Sequence, residues 1–146
     1  MLDGFDAATD SPIAAEFEAL DAFYPGSKFI YTVRDVASWL ESCSRQFGSK
    51  GTKNIWKKQI RHKLYGADIY DELLFRRAYA AHEAKVMAYF ANRPDDLLVL
   101  NICGGEGWEK LCPFLGLPKP SFSFPLRNKT KTPRDPAGVL SENLKG

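Results

Sequence analysis

Two short apolar runs limit what this chain can fold into. They are FIYTV, residues 29–33, and LLVLNI, residues 97–102. Each is short, almost wholly apolar and rich in β-branched or aromatic side chains, which marks a strand covered on both faces. Each is followed by a turn and then a helical pattern. Strands alternating with helices give an α/β class with parallel strands. The first run ends on Arg34-Asp35. A charge at the carboxyl end of a parallel strand sits at the rim where α/β sheets bind ligands. The pattern alone leaves two readings of Arg34, a solvated residue in a βα turn or a ligand contact.

The rest of the chain fits around these strands. Residues 4–8 are a candidate short strand. Ser11 as N-cap and Pro12 at the first helical position predict a helix to about Tyr24, stopped by Pro25-Gly26. Asp35 caps a helix whose Val36, Trp39, Leu40 and Cys43 share a face. A loop over 48–54 leads to a short helix over 55–64 with a basic outer face, then one long helix over 67–92 that ends before Pro94. Gly104-Gly105-Glu106-Gly107 turns the second strand into a helix from Trp108 to Leu115. Residues 1–128 read as one α/β domain and 129–146 as a mobile tail.

Neither Gly-containing loop is a phosphate cradle by spacing. GSKGTK follows no strand and lacks the Walker spacing, which counts against a nucleotide-kinase relative. GGEGW lacks the G-x-G-x-x-G order and carries Glu106, so it reads as a tight βα turn. The chain has 20 basic and 18 acidic residues, and the net +2 gives no reason to expect a nucleic-acid or membrane partner. The basic residues are clustered, however, at Lys50, Lys53, Lys57, Lys58, Arg61, His62 and Lys63, and again at Arg127, Lys129, Lys131 and Arg134. A solvated face and a site for a phosphorylated ligand both fit such runs. Cys43, Cys103 and Cys112 with two histidines make no zinc pattern, so no metal is expected and the thiols should be reduced. The first ten residues have no signal-peptide character, and no apolar run reaches the ~18 residues of a membrane span. A soluble, cytoplasmic protein is expected.

Five segments in order, LDGFDAATDSP, YPGSKFIYTVRDVASWLES, YAAHEAKVMAYF, DDLLVLNICGGEGWEKLCPFLGLPKP and FPLRN, resemble the sulfotransferase family in its bacterial and protist P-loop branch. The resemblance implies a three-layer α/β/α P-loop-type parallel sheet, incomplete at the amino terminus. The co-substrate it implies is 3′-phosphoadenosine 5′-phosphosulfate (PAPS), whose sulfuryl group passes to an acceptor hydroxyl or amine on an unknown small molecule. In the family an Arg at a strand end and a Ser eight residues later hold the 3′-phosphate, and these match Arg34 and Ser42. Arg127 and Lys129 fall loosely where relatives carry basic residues near the nucleotide. Asp10 follows the first candidate strand; it is either a base for the acceptor or the cap of the next helix. His82 reads as a packed helix residue. Trp39 and Trp108 fall at positions the family uses for core packing. The family's Gly-rich phosphosulfate loop has no match in these residues. An enzyme and a non-catalytic nucleotide-binding or interaction module derived from one therefore both stay open. With the loop's strand absent from the middle of the sheet, two edges lie open and a homodimer is expected.

Overall fold

In a computed structural model of the protein, residues 4–125 are described. Helices α1 (Ser11–Ala15) and α2 (Phe17–Phe23) lead to strand β1 (Phe29–Thr32). Helices α3 (Val36–Phe47), α4 (Ile55–Tyr65) and α5 (Glu72–Tyr89) connect it to strand β2 (Leu97–Leu100), and α6 (Trp108–Leu115) follows. The strands pair in parallel, with Phe29 opposite Leu97 and Thr32 opposite Leu100. A further bond from Val33 N to Leu100 O extends the ladder. The α/β class and the parallel pairing expected from the two apolar runs are therefore present. Among the described residues the sheet has two strands, and a three-layer sandwich needs more.

Three boundaries differ from expectation. Residues 4–8 form no strand; Phe5 is 74% exposed, and no strand among the described residues pairs with the segment. The first helix breaks at Glu16, whose φ of −120° leaves the helical region, into α1 and α2. Its cap is Asp10, which accepts from Ser11 N at 2.6 Å, while Ser11 is already the first helical residue. The long helix begins at Glu72, because Asp71 caps Leu74 N and the preceding residues are held elsewhere. Asp68, 9% exposed, accepts from Thr52 N at 2.9 Å and from Arg61 at 3.1 Å, which ties the loop before α4 to the loop after it. Gly51 is needed there, since a Cβ would lie 2.4 Å from the Asp68 carboxylate.

The turn after β2 explains the glutamate that made GGEGW an unpromising cradle. Glu106 accepts from Asn101 N at 2.7 Å and pairs with Lys110. Lys110, then the Asn101 N–H, hold its carboxyl below the usual glutamate range. Gly105, at φ 96°, makes the left-handed step that reverses the chain. Glu106 is spent on folding the turn.

The core is in two parts. Phe17, Val86 and Phe90 pack with Phe29, Tyr31, Tyr89 and Leu97 beside the sheet. Leu40, Cys43 and Phe75 pack with Val36, Trp39, Phe47, Tyr65 and Tyr70 between α3, α4 and α5. Phe75 is fully buried and stacks on Tyr65 at 4.6 Å. Both clusters use α5, through residues 75 and 86.

Beside the first cluster, buried Asp21 accepts from Arg93 at 2.6 Å and from the Tyr89 hydroxyl at 2.8 Å. The Arg93 bond, outweighing burial, holds the Asp21 carboxyl below its usual value. A depressed folded pKa gives stability that is present above the unfolded carboxylate range, about pH 4, and lost as pH falls through the folded value. Asp21→Ala should cost about 1–2 kcal/mol at pH 7, discounted because Arg93 remains wetted. The deficit should shrink as the melting series is taken below about pH 4 and on through the lowered native value, where the native carboxyl too takes up a proton. A deficit that is the same at both ends would show that the loss comes from packing and not from charge.

Candidate functional site

Between the two core clusters, along the edge of β1 that does not face β2, lies a cavity of about 600 Å³. Its wall includes every residue from Phe29 to Arg34, the loop of Ala8, Thr9 and Asp10, and the α5 residues Tyr79, His82 and Val86. Cys103, just past β2, also reaches it. The cavity thus reaches the carboxyl ends of both strands, where α/β sheets place ligands.

Arg34 is the cation that the sequence placed at this rim, and its surroundings are specific. Its Nε donates to Ser38 Oγ at 3.2 Å, and its backbone carbonyl accepts from the Tyr79 hydroxyl at 3.0 Å. The guanidinium is half-buried and has no carboxylate partner among the described residues. Asp35 next door is committed to Ser38 N at 2.8 Å as the cap of α3. One nitrogen of the fork is therefore fixed and the two terminal nitrogens remain for an anion, which suits bidentate recognition. Buried Cys43 lies close enough for Arg34 to act on it: burial pushes the thiol up to about 11, against the pull of the guanidinium.

Asp10 lies on the same cavity wall. Its Oδ1 serves the α1 cap, and no hydrogen bond engages Oδ2 among the described residues. Its backbone, at φ 93° and ψ 171°, occupies a region that is nearly glycine-only. A strained carboxylate on a cavity wall is more than a cap requires, because an ordinary N-cap sits in the β region.

Ser42 is placed differently. It is half-buried one turn beyond Ser38, is not part of the cavity wall, and makes no hydrogen bond to Arg34. Arg127 and Lys129 lie outside the described residues. His82 packs its ring edge-on to Phe17 at 6.0 Å and to Tyr31 at 5.7 Å while lining the cavity. Burial, then Lys85, lower its pKa, so it is a neutral imidazole at pH 7. Of the two tryptophans, Trp39 packs in the second cluster and lines the cavity, while Trp108 packs on Phe122 and Phe124.

Tyr79 and Ser38 are contacts of Arg34 that the sequence reading did not pick out. The signal was present: Phe75, Tyr79, His82 and Val86 follow a 4-3-4 spacing, which puts two polar rings in a buried stripe. Ser38 is four residues past Arg34, within one helical turn. Tyr79→Phe should keep the ring packing on Trp39 and free the Arg34 carbonyl. Anion affinity should fall about two- to fivefold, the equivalent of 0.5–1 kcal/mol, as read by calorimetry. Unchanged affinity would mean that Tyr79 does not position Arg34.

A family described as sulfotransferase domain matches residues 1–132. The chain belongs to the sulfotransferase family. A curated relative, "Ava biosynthesis cluster protein M" of Aspergillus versicolor, is 27% identical over 143 residues. That match covers 86% of this sulfotransferase-family chain and 55% of the relative, so the chain spans about half the length of the curated protein it matches. Transfer of a sulfuryl group is the activity that this family suggests in general. Among the described residues no cluster of His, Cys, Asp or Glu is arranged to hold a metal ion, and no helix is long and apolar enough to cross a membrane.

Proposed function

We propose that the cavity beside β1 holds the nucleotide end of PAPS and that sulfuryl transfer to an acceptor hydroxyl or amine takes place at its rim. The observation that carries this reading is Arg34, a half-buried guanidinium with two unengaged nitrogens at the carboxyl end of a parallel strand. Arg34 takes the 3′-phosphate; Ser42, and Arg127 and Lys129 outside the described residues, are the further candidate contacts that the family resemblance supplies. The second oxygen of Asp10 accepts the proton of the acceptor as its oxygen or nitrogen attacks sulfur. The bisphosphate leaves from the same cavity.

The sheet of this fold extends beyond two strands, in the three-layer arrangement that supports such sites, and a second copy of the chain covers the open edge of β1 when the cavity holds no nucleotide. Nothing in the 146 residues matches a Gly-rich loop able to give the transferred group a set of backbone donors. These 146 residues therefore supply the nucleotide and proton-accepting ends of the site, and transfer at the rim waits on backbone donors of that kind. A reading as a binding module alone is favoured by this same lack of a loop.

Titration calorimetry tests the assignment. Adenosine 3′,5′-bisphosphate should bind about tenfold or more tightly than adenosine 5′-monophosphate, since one more charge-assisted contact is made. Equal affinities would remove the 3′-phosphate from Arg34. The same chain given PAPS and a panel of phenols, alcohols and amines should release bisphosphate no faster than buffer, and turnover above that would favour the complete enzyme.

A further inference from the structure

Away from the cavity, the junction of the 48–54 loop with α4 has a composition that neither the core nor the nucleotide site uses. Trp56 is 74% exposed and Ile55 67% exposed, side by side at the first turn of the helix. Lys50, Lys53, Lys57 and Lys58 surround them in sequence, all exposed. Residues 42–67 contain no Asp or Glu. Other cations of the stretch are taken: Arg45 by Glu41, Arg61 by Asp68 and Lys63 by Glu16. The four lysines have no ion pair among the described residues. The junction is therefore a small apolar tip flanked in sequence by uncompensated positive charge.

We infer that this tip is a docking element for an anionic phospholipid surface. The chemistry matches on both counts. An indole and a branched aliphatic side chain prefer the boundary between headgroups and acyl chains, and flanking lysines meet the anionic headgroups while their stems lie along the apolar layer. The overall charge of +2 conceals this, because the charge is local. A nucleic acid is a poorer fit, since Trp56 alone offers a face for base stacking while Ile55 beside it offers none, and both side chains suit the headgroup boundary. None of these tip residues lines the main cavity.

Co-sedimentation of the full chain with phosphatidylcholine vesicles, with and without phosphatidylserine, tests this inference. Binding should be at least about tenfold stronger to the mixed vesicles and should fall as salt is raised. Ile55→Ala with Trp56→Ala should lower it about tenfold without changing the melting temperature, because both side chains are exposed. Lys53→Gln, Lys57→Gln and Lys58→Gln together should remove the preference for phosphatidylserine, and this surface variant keeps the test decisive should the apolar one misfold. No sedimentation with mixed vesicles, or sedimentation unaffected by either variant, overturns the inference. Capture by RNA or by an acidic peptide in the absence of vesicle binding overturns it too.

Discussion

Arg34→Ala should lower affinity for adenosine 3′,5′-bisphosphate by about ten- to a hundredfold and leave adenosine 5′-monophosphate almost unaffected. A charge-assisted bond to a phosphate contributes about 1.5–3 kcal/mol, and this arginine has two nitrogens to give. The fold should survive, because the side chain makes a single hydrogen bond, to Ser38, and closes no buried ion pair among the described residues. Arg34→Lys should recover only part of the loss. An ammonium restores the charge but not the fork. The diagnostic quantity is the ratio of the two nucleotide affinities. If both fall together, Arg34 supports the cavity in general and does not read the 3′-phosphate.

The second large effect concerns assembly. β1 is bonded to β2 on one edge, and its other edge faces the cavity from Phe29 to Arg34. Direct pairing with residues 4–8 was one way to close that edge, and the structure does not take it. A two-stranded sheet has little stability of its own, and an unpaired strand edge invites another strand. Light scattering at micromolar concentration, with no nucleotide added, should give twice the 16.4 kDa chain mass. Ile30, 40% exposed on β1, offers the control. Ile30→Lys puts a charge on an open edge strand, a substitution that blocks edge-to-edge pairing, and should return the species to monomer. A wild-type monomer that melts cooperatively would show that β1 needs no second copy.

How much of this was legible depended on whether a signal was local. β1, β2, α3 and α6 were readable because a cap, an apolar period or a turn sits within a few residues of each boundary; Asp35 before α3 is the clearest case. Residues 4–8 were misread as a strand because strand formation depends on a distant partner, which apolar content does not reveal. The start of α5 was misread because Asp68 is drawn out of the helix by Thr52 and Arg61, residues 16 and 7 positions away. At the site, Arg34 was visible as a charge ending an apolar run. The reciprocal hold of Tyr79 on its backbone spans 45 residues and required the fold to be seen. The Asp21–Arg93 pair, 72 residues apart, was illegible for the same reason.

The division of the core by α5 bears on how the molecule melts. One end of that helix is anchored by Phe75 and the other by Val86, while Tyr79 and His82 between them look onto open space. The two anchors communicate mainly through one helix and the rim of the cavity, so each cluster has the means to loosen separately. A nucleotide lying in that space would touch both, and its binding energy would be added to the coupling between them. Without ligand, ring signals from Tyr65 and Phe75 and those from Phe17 and Phe90 would fade at different temperatures; with ligand bound, they would fade together. The bound nucleotide would then act as the missing central piece of the core.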